Sequence, residues 1–161
     1  MNDERWRLEL DPPVLLPGRE AAARVTFTPP RDLEARAVAA SLRCVETYRF
    51  DTTETSRAAD GTMHSRRVTH TNHNEIHRLD FPLADAVRLV AGQPETWRFN
   101  FEVPALGPAT FEGTELRCDW TLEVKVDLPM RLDERLTATV PVAQPTALLK
   151  AGVVATGQYG L

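Results

Sequence analysis

From Leu116 onward the chain alternates with a period of two. Leu116, Cys118, Trp120, Leu122, Val124, Val126 and Leu128 fall on one side of an extended chain, and Arg117, Asp119, Thr121, Glu123, Lys125 and Asp127 on the other. That is the pattern of a strand with one dry face and one wet face. Burying the apolar side contributes roughly 10 to 20 kcal/mol gross, an upper bound because unfolded chains are already partly collapsed. The wet side mixes charges of both signs, as solvated faces do.

The same alternation recurs along the chain. It runs through RWRLEL (residues 5–10), breaks at DPPVLLPG (11–18), and resumes in EAAARVTF before Pro29 and Pro30 end it. The stretch 33–50 begins rich in alanine, but Leu42, Cys44, Glu46 and Tyr48 with their β-branched neighbours favour a strand. Residues 51–78 are almost devoid of apolar side chains and centre on Asp60-Gly61, a hairpin-turn signal, so they read as a polar two-stranded ribbon that outruns the core. With a two-residue turn, Glu54 would face Arg67, Asp51 would face His70, and Glu46 would face Glu75; the last pair, like in charge, calls for a bulge near the ribbon's base. One short helical turn is expected within 83–94. Strands are expected at 95–104, through Trp97, Phe99, Phe101 and Val103, and at 133–142. Seven or more strands with proline and glycine punctuation and no long helix predict an all-β fold, an immunoglobulin-like sandwich of two antiparallel sheets.

Composition narrows the function classes. With 161 residues and 42% hydrophobic content the chain suits one globular domain. A formal net charge of −4 argues against a nucleic-acid surface, which needs clustered Lys and Arg. No apolar run is long enough to cross a bilayer, and the opening MNDERWRLEL is charged where a signal peptide is apolar, so a cytoplasmic protein is expected. Cys44 and Cys118 both fall on apolar strand faces and read as reduced core thiols.

Two stretches carry a family resemblance. LLPGREAAARVTF (15–27) resembles the arrestin-type opening, in which a Pro-Gly turn precedes the second strand. GQPETWRFNFEVPALGPATFEGTELRCDWTLEVKVDLP (92–129) resembles the arrestin stretch in which an aromatic-alternating strand, a Pro-x-Thr-Phe-x-Gly turn and a long strand succeed one another. The match runs over residues 14–143 and is similar to bacterial sporulation-control proteins. The resemblance implies an arrestin-type sandwich that binds protein partners as an adaptor or scaffold and is not an enzyme. Family members usually carry two such sandwiches, and too few residues come after the last strand here for a second. The Pro-Pro-x-Tyr motif by which eukaryotic relatives recruit ligases does not occur. Phe111 and Gly113 read as parts of a structural turn, Gly113 by its backbone freedom and Phe111 as a plug for the sandwich end.

The chemistry-bearing residues are few. His70, His73 and His77 cluster near Glu75, and on a regular strand His73, Glu75 and His77 would point to one side, so a metal-binding protein or small metal-dependent enzyme is the alternative function. Side chains that alternate along one strand lie roughly 7 Å apart, a poor cage for an ion whose ligands converge at about 2 Å. Buried thiols are inert, and the chain has neither a glycine-rich phosphate loop nor a Gly-x-Ser-x-Gly elbow. No catalytic, cofactor-binding or metal residues are therefore assigned, and no cofactor is expected.

The last stretch, TALLKAGVVATGQYGL (146–161), is apolar where a solvated terminus would be charged. The sandwich is expected to span 1–145, and 146–161 to form a tail that serves as an extra strand or docks on a partner. Partners are expected to be proteins, with self-association through a sheet edge or this tail, and the polar ribbon is expected to bind only weakly.

Overall fold

The computed structural model describes residues 3–144, so the expected tail at 146–161 lies outside the described residues. All regular structure among the described residues is β. One sheet has the order β1-β2-β7, from Trp6–Asp11, Glu20–Phe27 and Glu95–Glu102, all antiparallel. The second is antiparallel in the order β10-β9-β4-β5, built from Glu134–Val140, Leu116–Asp127, Ala37–Arg57 and Met63–Ala84, with the short β8 (Phe111–Glu112) beside β9. A two-stranded sheet pairs β3 (Leu33–Ala35) with β6 (Val87–Leu89). The helical turn expected within 83–94 is not formed. β5 runs to Ala84, and Val87, Arg88 and Leu89 pair with β3, where Leu89 is fully buried.

The two main sheets enclose one core in two adjoining clusters. In the first, Val25 and Phe27 of β2 pack with Val38, Ala40, Val124 and Val126 of the second sheet. Trp6 stacks on Phe27 with ring centroids 4.2 Å apart. In the second, Ala21, Ala23 and Phe101 meet Leu42, Cys44, Trp120 and Leu122. The dry face read along β9 is the inner one: Cys118 to Leu128 are buried at every second position. Leu116 departs from it, at 39% exposure, because that end of β9 lies beyond the facing sheet.

The strands differ greatly in length, and the difference leaves part of the long sheet without a facing layer. β1, β2 and β7 have 6, 8 and 8 residues, whereas β4 and β5 have 21 and 22. At about 3.3 Å per residue, β4 and β5 extend some 40 Å past an eight-residue strand. β9 stays in register with β4 from Ala37↔Asp127 to Tyr48↔Leu116, and beyond Tyr48 the two long strands continue alone as a ribbon.

The ribbon's turn is longer than two residues. Arg57↔Met63 is the last strand pair, and Ala58–Thr62 closes the hairpin through Ala58 N–H to the Thr62 carbonyl (2.8 Å) and Gly61 N–H to the Ala58 carbonyl (3.0 Å). Gly61 has φ 85°, the left-handed region where a side chain is strained. The pairing shifts by one relative to the two-residue turn: Glu54 faces Arg66, Asp51 faces Thr69 and Glu46 faces Asn74. The expected clash of Glu46 with Glu75 is thus removed by the turn itself. A bulge is nevertheless present at the ribbon's base, between Cys44 and Val45.

Candidate functional site

Where the facing sheet stops, the inner face of the long sheet continues uncovered. Tyr48 and Phe50 continue the phase of Leu42 and Cys44 along β4, and Leu116, opposite Tyr48, continues that of Trp120 and Cys118 along β9. Phe111 stands opposite Cys118 on β8. Tyr48, Phe50, Leu116 and Phe111 are 38%, 43%, 39% and 53% exposed, and together they form an apolar patch across three adjacent strands, with the half-buried Glu46 on the same face between Cys44 and Tyr48. The rings of Tyr48 and Phe50 stack at 6.3 Å, and Phe50 stacks on His70 at 5.1 Å. The His70 Nε2 lies 2.8 Å from Thr52 Oγ1, which fixes the imidazole.

Phe111 is half out in solvent and does not plug the sandwich. Its ring lies over Gly113, where a Cβ would fall 2.9 Å from Phe111 Cε1 and 2.9 Å from the Leu116 carbonyl oxygen. Close approach, not an unusual backbone angle, is therefore what requires glycine there, since positive φ values occur at Gly18, Gly61 and Gly92 instead. The sandwich end is filled by Trp120, fully buried, whose indole N–H donates to the Pro108 carbonyl at 2.7 Å.

The polar side chains of the ribbon are paired on both of its faces. On the inner side, beyond Phe50, Arg66 donates to Glu54 at 2.8 Å; on the outer side Arg67 pairs with Asp51, and Thr69 Oγ1 donates to Asp51 at 2.7 Å. The Thr69 and Arg67 hydrogen bonds hold the Asp51 carboxyl below its ordinary range. Such exposed pairs contribute little stability, with a typical value below about 1 kcal/mol.

The outer edge of β5 has no neighbouring strand among the described residues, because β5 is the terminal strand of its sheet. Which backbone groups face outward is set by one hydrogen bond. Arg49 N–H donates to the Glu115 carbonyl at 2.8 Å, so the backbone of Arg49 turns away from β5. Arg49 and Thr71 are therefore a non-hydrogen-bonded pair, and the N–H and C=O of Thr71 point out from the sheet edge.

The three histidines are not brought together. The bulge at Cys44/Val45 adds Ile76 to β5 and reverses the facing of all that precedes it. His77, opposite Cys44, lies on the inner side and stacks on Trp120 at 5.8 Å. His73, opposite Thr47, lies on the outer side, its Nδ1 3.0 Å from Thr47 Oγ1. Glu75, also on the outer side, lies within 3.9 Å of Arg43 and 4.0 Å of Arg78. The expected one-sided set of His73, Glu75 and His77 is thus split between two faces, and no group that could hold a metal ion forms among the described residues.

Both cysteines are free and buried. Burial pushes the Cys44 thiol up to about 12, and nearby Cys118, Glu46 and Asp119 act in the same direction. Burial raises the Cys118 thiol as well, helped by Glu46 and Asp119. Neither sulfur is poised as a thiolate nucleophile.

A two-sheet antiparallel sandwich with one long projecting ribbon defines the class, and the sequence supplies the family. Residues 7–148 match the family described as arrestin (or S-antigen), N-terminal domain, and the chain belongs to that family. Among solved structures it is similar to Spo0M, the sporulation control protein of Bacillus subtilis, with a TM-score of 0.60 and 17% identity. That likeness covers 91% of this chain and 53% of Spo0M, so the chain spans about half the length of this relative. AvmM, which catalyses macrocyclisation in alchivemycin A biosynthesis, is 7% identical at a TM-score of 0.41, over 86% of this chain and 90% of that one, a likeness too loose to carry an argument. No curated protein matches the chain in sequence. Among the described residues, no helix is long and apolar enough to cross a membrane.

Sequence reasoning missed the apolar face, although its signal was present. Tyr48 and Phe50 continue the phase of Leu42 and Cys44 past the length that an eight-residue facing strand covers.

Proposed function

We propose that this chain is a non-catalytic protein-interaction module, an adaptor or scaffold of the bacterial cytoplasm, that takes partners by strand addition to the free edge of β5. The observation that carries the reading is the edge itself: a strand of 22 residues, terminal in its sheet, with Thr71 presenting its backbone groups outward. A peptide laid along it would gain main-chain hydrogen bonds, with side chains at alternate positions giving specificity. A second copy of the chain can add in the same way, which makes self-association one form of the same activity. A control role, as in the sporulation control protein of B. subtilis, is part of this reading. Separation of the histidines and burial of both thiols support a binding function over a catalytic one.

The test is Thr71→Pro. Proline removes an outward N–H without breaking a ladder bond, as edge positions tolerate. Partner capture should fall at least tenfold while the melting temperature stays within a few degrees of wild type. Unchanged capture would refute strand addition at this edge.

A further inference from the structure

The apolar face at the ribbon's base lies where the described chain ends. Leu15 exchanges backbone hydrogen bonds with the last described segment: Leu15 N–H donates to the Pro141 carbonyl and Ala143 N–H to the Leu15 carbonyl, each at 2.9 Å. Beside them, Thr110 N–H donates to the Val142 carbonyl at 2.7 Å, and Val142 N–H donates to Thr110 Oγ1 at 2.9 Å. Thr110 directly precedes Phe111. The chain therefore leaves Gln144 alongside β8, the first of the three strands that carry the face.

The composition of the remaining segment suits that face. Residues 146–161, TALLKAGVVATGQYGL, hold Leu148, Leu149, Val153, Val154 and Leu161 and a single charged side chain, Lys150. Leu149 lies five residues beyond Gln144, and at roughly 3.3 Å each these span up to about 16 Å. From Gln144 beside β8, three strand spacings, across β8 and β9 to β4, come to about 14 Å. Leu149 can therefore reach as far as β4, and Leu148 the nearer members on β8 and β9. A segment tethered this closely has an effective concentration on the order of millimolar, which a second copy at micromolar concentration does not match.

We propose that residues 146–161 dock in cis on the face formed by Phe111, Leu116, Tyr48 and Phe50, with Leu148 and Leu149 against the aromatic rings. Docking completes the inner layer that β1, β2 and β7 are too short to supply. It is a separate matter from strand addition at β5: it uses the inner face, needs no partner, and is measured on the isolated chain.

The experiment compares amide and aromatic resonances of the full chain with those of a Leu148→Asp/Leu149→Asp variant, at two protein concentrations tenfold apart. The expected result is a shift of Tyr48, Phe50, Phe111 and Leu116 resonances, with Met130 and Leu132 at the other end of β9 unmoved and no dependence on concentration. The reciprocal variant, Phe50→Ser at an exposed position, should shift the resonances of Leu148 and Leu149. Absence of shifts at the face in the Leu148→Asp/Leu149→Asp variant and at Leu148 and Leu149 in the Phe50→Ser variant would overturn the proposal. Shifts that grow with concentration, together with dimers in light scattering, would overturn it in favour of a second copy on the face.

Discussion

Phe50 and His70 stack with their ring centroids 5.1 Å apart, on two strands that have already run past the facing sheet. Earlier on β4, Cys44 is paired with the fully buried Trp120. The same face of the same sheet is thus core at one end and surface at the other, and substitutions along it should separate the two. Trp120→Ala should cost about 3 to 5 kcal/mol, the usual range for a buried aromatic truncation. Phe50→Ser should cost less than about 1 kcal/mol, and Thr121→Ala, on the wet face of β9, within about 0.5 kcal/mol. Chemical denaturation of the three variants checks this, and equal losses at Trp120 and Thr121 would contradict the assignment of faces.

Trp120 also constrains its neighbour in the chain's proline-rich loop. A Cβ at Gly107 would lie 2.7 Å from Trp120 Cζ2 and 2.9 Å from the Pro104 carbonyl oxygen, and the fully buried ring cannot withdraw. Gly107→Ala should therefore destabilise by about 1 to 3 kcal/mol, the range for an overpacked core. A melt unchanged from wild type would show that the loop yields instead.

The buried thiols give a sign for alkaline pH. In the folded chain burial raises the Cys44 thiol to about 12 and lifts Cys118 too, so ionisation favours the unfolded state. Their contribution to stability is fully present below the ordinary thiol range and is lost as pH rises toward 12. Melting temperature should fall more steeply between about pH 9 and 11 for wild type than for a Cys44→Ala/Cys118→Ala variant. Parallel slopes would contradict the account.

The outer ribbon is expected to be dispensable for folding. None of residues 53–67 belongs to either core cluster, and their ion pairs are exposed. Replacing 54–66 with a two-residue turn, which keeps the Thr53↔Arg67 pair, should leave the thermal melt within a few degrees of wild type. A large loss would show that the ribbon carries tertiary contacts in solution.

Much of the sandwich was legible from residue alternation, because one buried face imposes a period of two that β9 displays from Cys118 to Leu128. The short strand at Val87–Leu89 was not, since three residues are too few to show a period and Leu89 is buried by a contact distant in sequence. The histidine set failed for a different reason. His73 and His77 share a parity on a regular strand, and only the inserted Ile76 separates them, a displacement of one residue that composition does not reveal. The apolar face required comparing the lengths of strands that face each other, which is a property of the assembled sheets. Tyr48 and Phe50 look alike on a buried or an uncovered strand.

The most direct test of the interaction-module reading is affinity capture from cells that express the protein, run side by side with wild type and Thr71→Pro. Both should melt alike, since Thr71 is exposed and its N–H makes no ladder bond. The account expects a defined set of proteins, or a second copy of the chain, to be retained by wild type and lost at least tenfold with Thr71→Pro. The same set retained equally by both would contradict it.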